Sequence, residues 1–409
     1  MNLKHLFAAT ACALFSLSGC VDKDNPPFPP GPDPEPVPAK RTVLIYMAAN
    51  NSLSGFAQDD IKEMIEGMSD VTDRATRLLI YSDTNNSGGQ LAEVTPKNGA
   101  MDTVVVKRYG TRNSVGVAET KEVFADVFAN EKYLAESYGL VYWSHGEGWL
   151  PYPVPTISSR WVGQDLTGGD HRMNIDEFAQ ILQTAPHFDF ILFDACFMHS
   201  IEVAYELRSF ADYLLASPTE IPGPGARYDV LVPALFATGT DYAQALADAY
   251  YQPYAEKYNS GIGISNSNWT GGASIGVIQT ARLEALAAAT KQLLATAPNI
   301  DRQALRDQSF DYDRRGGINS YVGYFDLVDL MAQLQPDGAA YDQWKRAFNA
   351  AAPYFQTTPM NYSAVGGMFT IKQTDGVSCY IPSPSNTNTD VAYRSCAWYT
   401  AAGLDLLGW

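Results

Sequence analysis

Cys196 and His145 are the two residues of this chain whose types could make a nucleophile and its base. A thiol attacks well only when a neighbour takes its proton or stabilises its thiolate, and histidine is the usual partner. Each of the two follows a short apolar run, 139–143 before Ser144-His145-Gly146 and 188–193 before Asp194-Ala195-Cys196. His171 lies in a polar loop and His187 just before a strand, so a solvated or structural reading suits both, and His199, three residues past Cys196, reads as the start of a helix. Gly146 would let a carbonyl approach the main chain, and its N–H is a candidate oxyanion donor. Asp194 is two residues before Cys196 on an extended segment, so both side chains face the same side. A carboxylate there would either line a pocket and pair with a basic group, or cap the following helix or orient a loop, and the spacing leaves these open.

The elements that must position these residues alternate. Apolar runs at 42–48, 77–82, 139–143, 188–193 and 213–216 read as buried strands, and 103–107 as a strand at an edge. Helical spacing falls between them at 56–68, 118–138, 175–184 and 200–210. This order predicts an α/β fold, a mostly parallel sheet with helices on both faces. Ligands of such sheets bind outside the carboxyl ends of the strands, and that is where His145 and Cys196 fall. Beyond 235, helices are expected at 242–258, 283–295, 324–334 and 341–351, a strand at 273–279, and a late strand pair, 367–372 with 377–381. This C-terminal α+β extension, 236–409, would either lengthen the first sheet or form a smaller second domain beside the 41–235 unit.

The N-terminus reads as an address. Lys4 precedes an apolar run at 6–17, too short for a spanning helix of about 20 residues, and Leu17-Ser18-Gly19-Cys20 closes it. That ending resembles the lipobox of bacterial lipoproteins, which implies removal of the leader and acylation of Cys20; the alternative is an ordinary signal peptide. Asp22-Lys23-Asp24 is similar to an acidic context that sorts lipoproteins to the cell surface. Eight prolines between Pro26 and Pro38 make residues 21–40 an extended tether. The expected location is the cell envelope, lipid-anchored at the outer membrane or cell surface.

Net charge is −17, which argues against nucleic acid as a partner, since phosphate binding needs a basic face. Cys12 is lost with the leader, and Cys379 and Cys396 either pair in an oxidising compartment or remain buried thiols. Cys196 is left over in both cases, as a candidate reactive thiol. Neither a Gly-x-Ser-x-Gly elbow nor a His-Glu-x-x-His metal motif is present. No compact metal-ligand spacing stands out either, so no cofactor is expected from the residues.

Together, Val43 through Asn51, Trp143-Ser144-His145-Gly146-Glu147-Gly148-Trp149, Phe193-Asp194-Ala195-Cys196 and Glu220-Ile221-Pro222-Gly223-Pro224-Gly225 resemble the clostripain family of cysteine peptidases, over roughly residues 41–235. The resemblance implies a caspase-like fold, His145 as general base and Cys196 as nucleophile. It further implies Asp194 at the floor of a pocket for Arg or Lys, and an oxyanion hole from the N–H groups of Gly146 and Cys196. The partner would be a protein or peptide substrate. Self-cleavage at a basic residue between His145 and Cys196 is also implied, with Arg160 preferred to Arg172, and calcium is possible by family resemblance alone. Two departures stand out: Asn50-Asn51 where the family commonly begins with Asp, and Ala226-Arg227-Tyr228 in place of a Gly-Trp continuation, which puts a positive charge near the presumed cleft. The rival reading is a catalytically silent surface lipoprotein that binds peptide or glycan.

Overall fold

The apolar run 42–48 becomes a strand buried on both faces, near the middle of a nine-stranded sheet. The computed structural model describes residues 38–149, 161–259, 271–298, 300–313, 323–334, 338–364, 366–371, 374–383 and 387–409. Its strands are, in chain order, β1 (Ala39–Ala49), β2 (Thr76–Thr84), β3 (Gly89–Lys97), β4 (Ala100–Gly110), β5 (Ala135–Trp143), β6 (Val162–Asp165), β7 (His171–Met173), β8 (Phe188–Asp194), β9 (Ala211–Ala216), β10 (Ser274–Gln279), β11 (Phe325–Asp326), β12 (Tyr354–Thr357), β13 (Met360–Ser363), β14 (Gly367–Thr370) and β15 (Ser378–Cys379). The large sheet runs β12-β10-β9-β8-β5-β1-β2-β3-β4. Strands β9, β8, β5, β1 and β2 are mutually parallel, and antiparallel strands extend both sides.

Side chains alternate across a strand, so β1 feeds two cores. Val43, Ile45 and Met47 pack with residues of α1 (Ser54–Ser69), α5 (Tyr228–Leu235) and α6 (Tyr242–Asn259). Leu44, Tyr46 and Ala48 join the other core. That core is covered by α2 (Val117–Phe128), α3 (Ile175–Leu182), α4 (Ile201–Leu207), α7 (Leu283–Leu294), α8 (Arg302–Gln308), α9 (Leu327–Leu334) and α10 (Ala339–Ala351). Full burial of each large apolar side chain contributes about 1.5–3 kcal/mol. On this second face Tyr81, Tyr46 and Tyr142 stack across β2, β1 and β5, with centroid separations of 4.4 and 5.5 Å. The buried Tyr46 hydroxyl donates to the Ser114 carbonyl at 2.6 Å, the partner that a tyrosine in a core requires. The expected α/β architecture, with helices on both faces of a mostly parallel sheet, is the one observed.

Three local expectations are corrected. The helix expected over 118–138 stops at Phe128, because Asn130 accepts from the Lys132 N–H at 3.0 Å to start a one-turn 3-10 helix. The chain from Ala135 on is needed as a strand, in register with Ala39. Strand β3, which contains Pro96, was not anticipated; it carries β4 as an edge. The late strands do not pair with each other: β14 pairs with β13, and β15 with the two residues of β11, which precede α9.

The C-terminal half lengthens the sheet, with β10 antiparallel to β9 and β12 to β10. It also supplies Leu246, Tyr250, Ile275 and Val277 to one core and Leu286, Trp344 and Phe348 to the other. Residues Pro38–Trp409 form one compact unit. The leader and nearly all of the expected tether lie outside the described residues. Among the described residues no helix is long and apolar enough to cross a membrane. A fragment of residues 38–235 would therefore bare the outer edge of β9 and parts of both cores. It is expected to be insoluble or to bind a hydrophobic dye strongly; a soluble, cooperatively melting fragment would show that 41–235 folds alone.

Candidate active site

Strands β5 and β8 are parallel neighbours, and Trp143 at the end of one lies opposite Asp194 at the end of the other. The chain leaves both strands at the same edge of the sheet, so the turns carrying His145 and Cys196 meet there. The two turns touch closely: a Cβ on Gly146 would fall 2.9 Å from both the Ala195 Cβ and the Cys196 carbonyl oxygen. Only glycine fits there without a shift. A cleft of about 350 Å³ opens between the turns, and His145, Gly146, Asp194 and Cys196 all line it.

The histidine turn is braced from the N-terminal half. Ser144 Oγ donates to the Ala48 carbonyl at 2.6 Å and accepts from the Gln164 N–H at 3.1 Å. The β6–β7 ribbon holds the next residues, with the Gly163 N–H on the His145 carbonyl at 2.8 Å and the Glu147 N–H on the Trp161 carbonyl at 2.6 Å. Asn51, at the end of β1, donates to the Ala48 and Gln164 carbonyls, and Asn50 to Thr167. The two asparagines thus tie β1 to this ribbon. His145 Nε2 lies 2.8 Å from Ser52 Oγ. Burial, and then the charge of Arg172, pull the imidazole down to about 4, so it is neutral at physiological pH. Arg172 lines the cleft, stacked on Trp161 at 4.3 Å and paired with Asp170 at 2.7 Å.

The cysteine is held from the other side. Cys196 is half-buried, and its Sγ accepts from the Ile221 N–H at 3.2 Å. Burial raises the thiol far above its ordinary range, and the carboxylates of Glu220, Glu147 and Asp194 push in the same direction, while the Ile221 N–H opposes them. Thiol and imidazole therefore line one cleft as a neutral pair, without hydrogen-bonding each other among the described residues. The residue after the cysteine, Phe197, has φ +60°. The N–H groups of Phe197 and His199 donate to the carbonyls of Thr219 and Ser217. Those of Gly146 and Cys196 have no acceptor among the described residues.

Asp194 is 4% exposed and accepts three hydrogen bonds, from the Ala226 N–H at 3.0 Å and the hydroxyls of Tyr228 and Tyr250 at 2.9 Å each. No cationic side chain pairs with it among the described residues. Burial raises its pKa, and the three donors counter that rise. Gly225, at φ +63°, brings its backbone so near that a Cβ would sit 2.6 Å from Asp194 Oδ2. Of the readings open for Asp194, the helix cap is not realised, since α4 is capped by Ser200, whose Oγ accepts from the Val203 N–H, whereas the bond from the Ala226 N–H does hold the loop before α5. Behind the cleft wall, Asp60 is almost fully buried beside Trp143. Burial, then the charge of Asp194, pushes its carboxyl up to about 9.

Some expectations lie elsewhere. Arg227 does not line this cleft; it pairs with Asp229 at 2.7 Å and Glu63 at 3.4 Å beside a smaller depression. Cys379 and Cys396 are free thiols, the first buried and the second half-buried. Arg160 and Cys20 lie outside the described residues. Among the described residues no group of three or more His, Cys, Asp or Glu side chains is placed to hold a metal ion. Tyr228, Tyr250, Ser52 and Asp60 were not anticipated, because each reaches the site through tertiary packing that no local motif announces.

Comparison with known proteins adds independent findings. The profile of the clostripain family matches residues 45–394. Clostripain of Hathewaya histolytica is 28% identical over 231 residues, 49% of this chain and 43% of clostripain's own length. A secreted C11 cysteine protease from Bacteroides thetaiotaomicron, solved in complex with an irreversible peptide inhibitor, is 44% identical, covers 90% of this chain and 100% of its own, and superposes with a TM-score of 0.80. An inactive zymogen C11 protease from Parabacteroides distasonis is 29% identical, with 90% and 99% coverage and a TM-score of 0.75. With a profile match over most of its length, and a cleft lined by His145 and Cys196 at the ends of adjacent parallel strands, this chain belongs to the clostripain family of cysteine peptidases.

Proposed function

We propose that the chain is an exported cysteine endopeptidase that cuts after Arg or Lys, with Cys196 as nucleophile, His145 as base and Asp194 as the anion that selects the basic side chain. The observation that carries this reading is that all three side chains line one cleft at the carboxyl edge of β5 and β8. His145 takes the Cys196 proton as the sulfur bonds to the scissile carbonyl carbon. The carbonyl oxygen becomes an oxyanion, received by the N–H groups of Gly146 and Cys196, which have no acceptor among the described residues. Collapse expels the amine, which leaves with the proton from His145. Water then hydrolyses the thioester, giving its proton to His145 and restoring the thiol as the acid departs. These steps use the chain's own groups and water, and calcium enters as a variable of the assay.

Asp194 suits a cation because it is a buried carboxylate served by three neutral donors, with no positive partner among the described residues. A guanidinium or ammonium would complete that set with a charge-assisted bond. Trp143 walls the same cleft.

Activation by self-cleavage at Arg160 is part of the proposal. The leader and Cys20 support export and lipid anchoring at the cell envelope. The secreted description of the Bacteroides thetaiotaomicron protease points to the same side of the membrane. The neutral pair also favours one alternative, a surface lipoprotein that keeps the cleft but binds peptide without cutting it.

Soluble protein lacking residues 1–20, with and without calcium, is expected to cleave reporter peptides ending in Arg or Lys but not Asp or Leu, and Cys196→Ala to cleave none. No cleavage after activation near Arg160 would favour the binding protein. Asp194→Asn is expected to lower kcat/KM for the basic reporters by about 100-fold, within the range for breaking one partner of a buried charge pair; an unchanged value would move the selecting anion elsewhere.

The pH dependence follows from His145. It accepts a proton only when neutral, so kcat/KM should fall as pH drops through about 4. Arg172→Gln removes a positive charge that holds the imidazole down, so the acid limb should move to higher pH. A limb that stays in place would show that Arg172 does not act on His145.

A further inference from the structure

Tyr324 belongs to the C-terminal half, far in sequence from both candidate catalytic residues, yet it touches the turns that carry them. It is 1% exposed. Its ring stacks on Phe197, the residue after Cys196, with centroids 4.7 Å apart and planes 5° from parallel. Its hydroxyl donates to the carbonyl of Glu147, two residues after His145. A Cβ on the next residue, Gly148, would lie 2.9 Å from the Tyr324 ring, so the histidine turn is seated directly on it.

The base beneath Tyr324 is firm. Its carbonyl accepts from the Tyr312 N–H at 2.8 Å, and β11, which starts at the next residue, pairs with β15. Asp326 accepts from the Tyr312 hydroxyl at 2.6 Å and from the N–H groups of Val328, Asp329 and Asp375. The same segment is tied to the cysteine turn a second time: the Ser378 N–H donates to the His199 carbonyl at 3.0 Å, and the His199 ring meets the Gly376 carbonyl at 2.5 Å. Phe197 needs such support. A left-handed backbone at a bulky residue is strained and persists only when its surroundings over-determine it. Here the surroundings are the Thr219 carbonyl, 3.1 Å from its N–H, and the Tyr324 ring.

We propose that Tyr324 is a positioning residue: one side chain fixes the histidine turn through the Glu147 carbonyl and the cysteine turn through the Phe197 ring, and so sets the geometry between His145 and Cys196. The proposal rests on the assignment of those two residues made above. It gives the C-terminal half a role in the reaction through a contact, without placing Tyr324 on the substrate. Tyr324→Phe keeps the stack and loses the hydrogen bond; Tyr324→Leu loses both.

The test combines a readout that needs no substrate with one that does. Alkylation of Cys196 by iodoacetamide at pH 8 is followed by mass spectrometry in the intact protein. It should run at least about tenfold faster in Tyr324→Leu than in the parent, because a released turn brings the thiol back toward its ordinary pKa, with Tyr324→Phe between them. On the Arg reporter, kcat should fall about tenfold in Tyr324→Phe and about 100-fold in Tyr324→Leu with KM within about twofold, the pattern of misplaced reacting groups. Equal alkylation rates in all three proteins, including none in any, would overturn the proposal, as would an unchanged kcat accompanied only by a lower Tm. If the parent cuts no reporter but the alkylation rates separate as described, the cleavage reading fails and the positioning role stands.

Discussion

The register between β5 and β8 is the constraint on which the site depends. Parallel strands with Trp143 opposite Asp194 must release their chains at the same edge. Two turns more than forty residues apart in sequence are thereby made neighbours by main-chain hydrogen bonds. The cost of holding them together is met by burial on both faces of the sheet, where Tyr81, Tyr46 and Tyr142 stack on one side and Val43, Ile45 and Met47 close the other. The turns then need only short braces, from Ser144, the β6–β7 ribbon and Gly146, because the strands beneath them have already fixed where they start.

The site is legible in the sequence to the extent that it depends on strand ends. Continuous apolar runs are the signature of parallel strands buried on both faces, so the positions of His145 and Cys196 at carboxyl ends followed from local pattern alone. What surrounds them did not. Two donors to Asp194 come from α5 and α6 and the third from the loop before α5, and the hydroxyls of Tyr228 and Tyr250 carry no local sign of their target. Ser52 is one polar residue in a turn, and Asp60 on a helix reads as part of a solvated face. The strand β11 is two residues long, and its partner β15 lies more than fifty residues on, a contact that no periodicity encodes.

The same reasoning explains the errors at the edges of elements. The span 118–138 is amphipathic enough to read as one helix, but β1 needs Ala135 and Ser137 as partners, and pairing outweighs propensity there. The late strands fail as a pair for the complementary reason. Each finds a better partner, β14 in β13 and β15 in β11, and the second of these fastens the C-terminal segment beside the cleft. The C-terminal half is thus joined to the rest by sheet, by core and by the contacts of Tyr324, which makes a boundary near 235 a point along one structure.

The electrostatics of the cleft carry an internal opposition. Glu220, Glu147 and Asp194 give it a negative character suited to a basic side chain, and the same three carboxylates, added to burial, hold the Cys196 thiol above its ordinary range. Anions that would attract a basic side chain therefore discourage the thiolate. On the proposed reading, an arriving Arg or Lys resolves the conflict: its positive charge offsets Asp194 and lowers the local negative potential that acts on the sulfur. The nucleophile would then be favoured most when a matching side chain occupies the pocket, so that selection and activation draw on one interaction.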